Sequence, residues 1–592
     1  MCGICGTISR EGSETKEDEL RKMLPALAER GPDHRGIRMG ENYGFGHSRL
    51  SIIDLSEQGN QPMEDKELGL VIVNNGEVYN YRELREELKG VGYTFFSNSD
   101  TEVLMKAYHH WGERFVERLK GMFAFCLYDS NRDIFVLARD RLGKKPLYYT
   151  EINGDFYFAS NIQALNDAGL FDYTIDKQAL NYYLTFHAVV PAPHTIYEKV
   201  RKLEPGTVMI IDREGNKHSR RFWSLEMKPR HDLSEEEWIE AVLESLRRAV
   251  KLRMVSDVPV GALLSGGVDS SLIVALMSEL KEDDLRTYSI GFDSVPEEEG
   301  NEFYYSDLVA KTFGTNHQKI YADGEDLLPR VQDSLTAMSE PMVSHDAVGF
   351  YLLSREVSKE SKVVLCGQGA DEIFAGYHWY PKIMEGEGKK SPFELYRENF
   401  FDRDYGEMQE MLSEEYRPDL DHASDFVRRR FAMPGSGSRG VDKALHLDTT
   451  IMLIDDPVKR VDNMTMAWSL EARVPFLDHE LVELTATIPA ELKVKDGGKY
   501  ILKKAAEKLL PREVIYRPKG YFPVPALKYL QGEFLEFART VLSSEKAKER
   551  NLFRREYLDS LFSNPDRQLT ALRGNKIWQA AVLEYWLQKM EG

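Results

Sequence analysis

A glycine-rich loop that follows an apolar run constrains the fold of this chain more than any other feature. The loop 265–267 (Ser-Gly-Gly) follows a short apolar run at 260–264 and precedes a helical pattern at 270–280. Apolar runs recur at 288–292 and 362–366, and this alternation with helical patterns predicts a parallel sheet covered by helices. Glycines let the backbone approach a phosphate, and a helix N-terminus offers unpaired N–H groups. We therefore expect an α/β domain that binds phosphate at the ends of its strands.

The same loop carries an acidic residue, Asp269, and lacks the lysine of a nucleotide P-loop. An acid beside phosphate oxygens is unfavourable unless a divalent cation separates them, so Asp269 predicts a bound Mg²⁺. A second loop at 367–372 again combines glycines with acidic residues after an apolar run. Because the ends of neighbouring parallel strands meet at one crevice, Asp371 is expected to complete the metal site. The alternative for each acid alone is a solvated helix N-terminus.

The first part of the chain shows a different pattern. Short apolar runs broken by turn residues predict a sheet-rich, layered domain with helices packed on its sheets. These runs lie at 69–74, 121–128 and 134–138. Ser234 and Glu237 then stand at the spacing of a capping box that begins a new helix. We predict a boundary at about residue 225, which gives domains at 1–225 and 226–592.

Cys2 is the candidate nucleophile. Removal of Met1 would leave Cys2 with both a thiol and a free α-amine, whose pKa of about 7.7 to 8.0 suits a base that generates the thiolate. The alternative is that Cys2 and Cys5, at C-x-x-C spacing, form half of a metal site or a redox pair. The sequence contains no second pair to complete a four-ligand zinc site, so Cys5 is expected to be a small buried hydrophobic residue.

Charge and cysteine content exclude several classes of protein. The chain has 77 basic and 97 acidic residues and a formal net charge of −20, which disfavours binding to nucleic-acid phosphates. The 4 cysteines in 592 residues are too few for a disulfide framework and suit a reducing compartment. No apolar stretch approaches the roughly 18 residues that span a bilayer. We expect a cytoplasmic protein without a membrane partner.

Motifs in both parts of the sequence occur in the order seen in one known family. They are 2–4 (Cys-Gly-Ile), 30–33 (Arg-Gly-Pro-Asp), 47–51 (His-Ser-Arg-Leu-Ser), 74–77 (Asn-Asn-Gly-Glu), 99–102 (Ser-Asp-Thr-Glu), 265–270 (Ser-Gly-Gly-Val-Asp-Ser), 369–372 (Gly-Ala-Asp-Glu) and 469–478 (Ser-Leu-Glu-Ala-Arg-Val-Pro-Phe-Leu-Asp). Through them the chain resembles the glutamine-hydrolysing asparagine synthetases over nearly its whole length. The resemblance implies an N-terminal αββα glutaminase sandwich of the N-terminal nucleophile (Ntn) type. It also implies a C-terminal parallel-sheet PP-loop ATP pyrophosphatase domain that ends in helices.

For the N-terminal domain, the resemblance implies that Cys2 attacks the carboxamide of glutamine. Asn75 and the N–H of Gly76 would form the oxyanion hole, in keeping with the need of acyl transfer for donors aimed at developing charge. Arg49 would hold the α-carboxylate of glutamine, which suits its bidentate fork. The ammonia would pass inside the protein to the second domain. The residues implied for glutamine binding are Arg49, Asn75, Gly76, Glu77 and Asp100.

For the C-terminal domain, the resemblance implies that ATP adenylates an acceptor carboxylate and releases pyrophosphate. Glu372 would lie near the acyl-adenylate, and Lys499 would stabilise charge on the phosphates. Without the resemblance, Lys499 would be interpreted as a solvent-facing lysine after a double-glycine turn. The residues implied for ATP and pyrophosphate are Leu264, Ser265, Gly266, Gly267, Asp269, Ser270, Ile290, Cys366 and Gly367, with Mg²⁺ on Asp269 and Asp371.

The acceptor is where the sequence departs from the asparagine synthetases. Gln368 stands where they commonly have glutamate, which removes one negative charge beside the nucleotide. Four segments are more similar to the N-acetylglutaminylglutamine amidotransferases, which amidate the terminal carboxylate of an acetylated dipeptide to make an osmoprotectant. These segments are 183–193, 342–351, 455–460 and 517–525. N-Acetylglutaminylglutamine is therefore the predicted acceptor, and aspartate, the acceptor of an asparagine synthetase, is the alternative.

Two other classes of function compete with this interpretation. An RNA-modifying ATP pyrophosphatase would use the same phosphate loop, but the net charge of −20 and the lack of a basic stripe count against it. A non-catalytic binding protein that retains the fold is the second rival, and the presence of Cys2, Asn75 and Asp269 counts against it. The expected partners are small molecules, and the resemblance also implies a homodimer.

Overall fold

The computed structural model describes residues 2–9, 16–280, 284–292, 301–322, 327–517 and 530–592. In the first part of the chain, strands β1 to β12 form two six-stranded antiparallel sheets. In the order in which the strands pair, the first sheet is β10-β8-β9-β1-β3-β2 and the second is β12-β11-β7-β6-β5-β4. The strands are β1 (Gly3–Ile8), β2 (His34–Met39), β3 (Tyr43–Arg49), β4 (Met63–Asp65), β5 (Leu70–Val78), β6 (Gly121–Asp129), β7 (Ile134–Arg139), β8 (Tyr148–Ile152), β9 (Asp155–Ala159), β10 (Arg201–Lys202), β11 (Thr207–Ile211) and β12 (Lys217–Arg221).

The two antiparallel sheets pack face to face and carry helices on their outer faces. Side chains from both sheets, including Ile4, Phe45, Val73 and Phe135, form one buried apolar cluster. Helices α1 (Glu17–Met23) and α4 (Ile162–Asp167) contact the first sheet, and α3 (Asp100–Trp111), on which α2 (Tyr81–Gly90) packs, contacts the second. Because it has neighbours on both faces, β5 is buried along its whole length. This is the αββα layering that the resemblance implied.

The second part of the chain contains a five-stranded parallel sheet in the order β15-β14-β13-β16-β17. Its strands are β13 (Val260–Leu263), β14 (Arg286–Phe292), β15 (Asn316–Ala322), β16 (Val363–Leu365) and β17 (Glu471–Arg473). The central strands β13 and β16 are neighbours, with Val260 opposite Val363. The chain segments that leave their carboxyl ends therefore emerge side by side.

Helices α5 to α25 complete the structure. They are α5 (Lys177–Thr185), α6 (Glu235–Arg253), α7 (Val268–Ser278), α8 (Phe303–Phe313), α9 (Leu327–Thr336), α10 (Asp346–Val357), α11 (Ala370–Ile373), α12 (Trp379–Gly386), α13 (Pro392–Phe400), α14 (Tyr405–Met411), α15 (His422–Ala432), α16 (Gly440–Leu447), α17 (Lys459–Met466), α18 (His479–Thr487), α19 (Ala490–Val494), α20 (Tyr500–Ala506), α21 (Arg512–Ile515), α22 (Gly532–Leu542), α23 (Glu545–Arg550), α24 (Arg555–Phe562) and α25 (Lys576–Met590). Between α16 and α17 the helix continues in π-helical form, a geometry often found at functional sites. Within the described ranges, no helix is long and apolar enough to cross a membrane.

Most of the predicted elements are present. The capping box forms, since the Ser234 side chain accepts from the N–H of Glu237 while the Glu237 side chain accepts from the N–H of Ser234. The apolar runs predicted at 260–264, 288–292 and 362–366 coincide with β13, β14 and β16. Two strands of the parallel sheet, β15 and β17, were not predicted. The proposed cleavage after Met1, and the similar segment 517–525 beyond Arg517, lie outside the described residues.

A buried ionic cluster joins the two parts of the chain. Asp462 on α17 accepts hydrogen bonds from Arg30 Nη1 at 2.9 Å and from Lys145 Nζ at 2.9 Å. Arg30 also donates from Nε to the backbone carbonyl of Cys2 at 3.1 Å. Helix α17 of the second part therefore holds the strand that carries the candidate nucleophile.

Candidate active sites

The candidate nucleophile Cys2 precedes β1 and lies beside β5 of the facing sheet. Its backbone N–H donates to Asn75 Oδ1 at 3.2 Å, and both residues are buried. Asn75 Nδ2 is also buried and has no hydrogen-bond partner among the described residues. A buried amide donor without a partner requires an explanation, and an oxyanion forming beside Cys2 would satisfy it. Burial raises the pKa of the Cys2 thiol, so attack on an amide requires a base.

Glu77 and Asp100, two of the residues predicted for glutamine binding, are buried carboxylates that lie close together. Burial raises the pKa of Asp100 to about 6, and burial also raises that of Glu77, to which the carboxylates of Glu471 and Asp100 add. The oxygen Oδ2 of Asp100 accepts from the N–H of Val78 at 2.9 Å. Buried acids whose pKa values are raised by one another favour a bound cation, so the cluster suits an ammonium group. Its third acid, Glu471, comes from β17 of the second part of the chain.

Arg49, at the end of β3, is already engaged. Its Nη1 donates to the carbonyl of Ser56 at 2.9 Å and to Asn60 Oδ1 at 2.8 Å, and Nη2 donates to the carbonyls of Ile53 and Asp54. From the sequence, the guanidinium was expected to be a fork that holds the substrate carboxylate. The described contacts instead hold it against the segment 53–60, and its role toward glutamine stays a prediction.

The predicted phosphate loop lies between β13 and α7. Ser265 and Ser270 face each other with 3.1 Å between their hydroxyl oxygens, and the N–H of Gly267 donates to Ser265 Oγ at 3.3 Å. Gly266 has a φ of +75°, and a Cβ there would lie 2.6 Å from the Cβ of Tyr305. Glycine is therefore required both by the left-handed backbone and by the close approach of α8.

The second loop meets the first at the edge of the sheet. A Cβ on Gly367 would lie 2.9 Å from the N of Ser270, so the two loops are in direct contact. Beside them is a cavity of about 240 Å³. The structure thus brings most of the residues predicted for ATP to one place. Predicted residues that line this cavity are Leu264, Ser265, Asp269, Ser270, Ile290, Cys366, Gly367 and Asp371.

Lys499 bridges the two predicted metal ligands. Its Nζ donates to Asp269 Oδ2 at 2.7 Å and lies 2.9 Å from Asp371 Oδ2. Burial lowers the pKa of Lys499, but the two carboxylates raise it more, so its net pKa lies above the ordinary value. The solvent-facing alternative is wrong, since only 8% of the side chain is exposed. Two carboxylates within reach of one cation also fit Mg²⁺, which takes one or two protein carboxylates when phosphate oxygens supply further ligands.

Glu372 lies beside a second and larger cavity. Burial and the charge of Asp371 raise its pKa to about 7, and Oε1 accepts from the hydroxyl of Tyr377 at 2.6 Å. Its Oε2 is buried without a hydrogen-bond partner in the described ranges. A carboxyl with a pKa near neutrality is suited to proton transfer.

This larger cavity adjoins the ATP cavity and has a volume of about 440 Å³. Asp346, Tyr377 and Arg460 line both cavities, so a molecule that fills the larger one extends to the cavity predicted for ATP. Arg460 is 4% exposed, contacts Ser344, and keeps its Nε buried without a partner among the described residues. Arg460 lies in the similar segment 455–460, but no role was predicted for it. A basic residue in the first turn of an α-helix carries no local signal of what it faces.

The comparisons with known proteins agree with this arrangement. A glutamine amidotransferase domain model matches residues 1–223, and an asparagine synthase model matches residues 241–588. The chain is 33% identical to asparagine synthetase (glutamine-hydrolyzing) 1 of Bacillus subtilis, over 99% of this chain and 96% of that protein. It is 29% identical to the amidase chry2 of Gibberella zeae, over 89% of each. The solved glutamine phosphoribosylpyrophosphate amidotransferase of B. subtilis, with 14% identity, covers 54% of this chain and 90% of its own, at a TM-score of 0.32 that is too low for argument.

An αββα domain with a buried cysteine at position 2, joined to a parallel-sheet domain with a glycine-rich loop, defines together with these relatives a carbon–nitrogen ligase that takes its amide nitrogen from glutamine. The chain belongs to the asparagine synthase family. The family predicted from the sequence motifs is confirmed, and so is the fold class.

Proposed function

We propose that this ligase hydrolyses glutamine at Cys2 and uses the ammonia to amidate N-acetylglutaminylglutamine, whose carboxylate is first activated by ATP. The reactions balance as three steps. Glutamine and water give glutamate and ammonia; the acceptor carboxylate and ATP give an acyl-adenylate and pyrophosphate; ammonia then displaces AMP and gives the amide. The proposed domains are 1–225 and 226–592, in keeping with the end of β12 at Arg221 and the start of α6 at Glu235.

In the glutaminase step, the Cys2 thiolate attacks the side-chain carbonyl of glutamine. The α-amine that Cys2 gains on removal of Met1 accepts the thiol proton. The Nδ2 donors of Asn75 and the N–H of Gly76 stabilise the oxyanion, and the unpartnered Asn75 Nδ2 supports this role. Glu77 and Asp100 bind the α-ammonium, and Arg49 binds the α-carboxylate.

In the adenylation step, the ATP phosphates lie in the loop 265–270 with the adenine against Leu264, Ile290 and Gly367. Asp269 and Asp371 would hold Mg²⁺, which neutralises phosphate charge when bound. Lys499 stabilises negative charge on the phosphates, since its Nζ already lies between those two carboxylates. Arg460 binds the acceptor carboxylate where the two cavities meet, because its side chain lines both of them.

In the last step, ammonia attacks the carbonyl of the acyl-adenylate and must lose a proton. Glu372 accepts it, because a carboxylate whose pKa is about 7 can take up a proton at neutral pH. The hydroxyl of Tyr377, which donates to Oε1, holds the Glu372 carboxyl in place.

The observation that carries the choice of acceptor is the cavity of about 440 Å³ beside the ATP cavity. Cavities of roughly 300 to 1,000 Å³ enclose ligands of drug size, well beyond a single amino acid. Aromatic side chains form part of its wall, with the rings of Tyr377 and Trp379 stacked at 4.2 Å. Flat, apolar faces suit the planar amides of an acetylated dipeptide.

Aspartate is the second candidate acceptor, because asparagine synthetases are among the relatives that match most of the chain. The deciding experiment measures pyrophosphate release with ATP, Mg²⁺ and glutamine, with either aspartate or N-acetylglutaminylglutamine as acceptor. We expect turnover with the dipeptide. Turnover with aspartate alone would make this enzyme an asparagine synthetase.

A further inference from the structure

One wall of the large cavity comes from the first part of the chain. Phe186, His187 and Val189, which we call the N-terminal wall, follow helix α5 and line the cavity together with residues of the second part. None of the three lines the ATP cavity. The wall belongs to the segment 183–193, which is similar to the N-acetylglutaminylglutamine amidotransferases. The reaction steps proposed above give this segment no role.

Contacts with the second part of the chain fix His187 in this wall. Its Nδ1 lies 3.0 Å from Asp402 Oδ2, and the N–H of Asp402 donates to the carbonyl of Thr185 at 2.9 Å. The edge of the ring packs on Gly574, where a Cβ would lie 2.7 Å from Cε1 of His187. His187 has a φ of +52°, which non-glycine residues seldom adopt and which tends to persist where function requires it.

The second ring nitrogen of His187 remains available to a ligand. No described residue hydrogen-bonds Nε2, and 18% of the side chain is exposed. Burial lowers the pKa of His187, and Arg460 lowers it further, but Asp402 and Asp456 raise it more, so the net pKa lies above the ordinary value. The imidazolium is therefore favoured, with Nδ1–H donated to Asp402 and Nε2–H free to donate.

We propose that His187 is a specificity-determining residue of the acceptor site, which donates from Nε2 to a carbonyl oxygen of the acceptor at the end remote from the reacting carboxylate. Arg460 marks the reacting end of the cavity, since it also lines the ATP cavity, whereas His187 does not. A ligand that contacts both would be a carboxylic acid that also carries a carbonyl oxygen away from its carboxylate. The glutaminase domain thereby takes part in acceptor choice. This inference rests on the proposed function for its acceptor.

The test compares the full-length enzyme with His187→Ala and His187→Gln. We expect the KM for N-acetylglutaminylglutamine to rise about 10- to 100-fold, as for loss of a hydrogen bond to a charged donor, with kcat within about twofold. The KM for ATP, basal glutaminase activity, and the inhibition constant of N-acetylglutamine, an acid one residue shorter than the dipeptide, should not change. The glutamine variant is included because its side chain can still bond Asp402, which preserves folding.

His194 provides a matched control. Its Nδ1 also lies 3.0 Å from an aspartate oxygen, Asp176 Oδ2, but the side chain does not line the acceptor cavity. His194→Ala should leave the KM for the dipeptide unchanged. An unchanged KM for the dipeptide in both His187 variants would overturn this inference but leave the proposed acceptor intact. So would a weakening of the binding of the short acid and of ATP equal to that of the dipeptide. Failure of the wild-type enzyme to use the dipeptide at all would instead overturn the proposed acceptor, and with it this inference.

Discussion

Lys499 Nζ lies 2.7 Å from Asp269 Oδ2, although the two residues come from a loop and a helix that are distant in the sequence. The lysine is buried, so its positive charge would be costly there without the carboxylates that pair with it. When phosphates enter the neighbouring loop, the same cation is in place to stabilise them. The pair thus links the phosphate loop to helix α20, which begins one residue after Lys499.

Replacing this lysine should separate the two halves of the reaction. Lys499→Met removes the cation beside the phosphates, and we expect pyrophosphate release to fall about 10²- to 10³-fold with either glutamine or free ammonia. Glutaminase activity should remain. Lys504→Met, on the same helix but with 30% of its side chain exposed, is the control and should behave as wild type. Equal effects of the two variants would contradict the assigned role.

Cys2→Ala should abolish the use of glutamine while free ammonia still supports amidation, because the thiol acts only in the first step. The measurement is amide formation with each nitrogen source. Cys5→Ala is the control, since Cys5 is also a fully buried thiol but packs against Gly46 away from the nucleophile. Loss of both activities in a folded Cys2→Ala protein would show that the two sites are not separable.

The pKa of Glu372, raised by burial to about 7, predicts the pH dependence of ammonia-supported amidation. At a fixed concentration of NH₃, the rate should rise as pH increases through about 7, since only the charged carboxylate accepts a proton. Glu372→Gln should lower the rate and remove this acid limb. Because the folded pKa lies above the ordinary value, the contribution of this carboxyl to stability should decrease as pH rises through the same range. An acid limb that persists in the variant would assign it to another group.

Asp462→Asn should weaken the junction of the two parts. Removing one charge from a buried cluster costs about 3 to 5 kcal/mol of unfolding free energy, measured by denaturant titration. The charges of Arg30 and Lys145 outweigh burial and lower the pKa of Asp462 from 3.8 to about 2, so its stabilisation should be lost progressively as pH falls from about 3.8 to about 2. We also expect glutamine-dependent activity to fall more than ammonia-dependent activity, since Arg30 holds the carbonyl of Cys2.

Asp425→Asn is the control for that experiment. Asp425 pairs with Arg429 at 3.1 Å, but both side chains are more than half exposed. Exposed helical pairs contribute about 0.3 to 0.5 kcal/mol. A similar loss of stability in the two variants would mean that the Asp462 cluster does not hold the domains together.

The sequence predicted those strands whose neighbours bury both faces. β13 and β16 are buried along their whole length and β14 along nearly all of it, because they lie inside the parallel sheet, and each contains an apolar run. The edge strand β15 is largely polar and exposed, and β17 reads Glu-Ala-Arg, so neither carries the apolar signal of a central strand. The position of a strand at the edge of a sheet, and the ionic pairs that its side chains form, depend on the tertiary structure. The local periodicity of the sequence therefore does not predict them.

The same distinction applies to the sites. The two loops predicted to bind phosphate have a local glycine signature, and the structure brings them together at the edge of the parallel sheet. Residues that meet only in three dimensions were missed, for example Glu471 beside Glu77, and His187 with Asp402 across 215 positions. Their types have many ordinary uses, and only the packing of the two domains brings them together.

Helix α17 has a consequence for how such enzymes can diversify. Arg460 and Asp462 stand two positions apart, yet one faces the acceptor cavity and the other holds the strand of the nucleophile. Recombination that exchanges whole domains between relatives would separate Asp462 from Arg30 and the acceptor cavity from its N-terminal wall. New acceptor preferences in this lineage should therefore arise by point substitutions on both sides of the junction. Chimeras should lose the coupling of glutamine hydrolysis to amidation before they lose either of these two reactions.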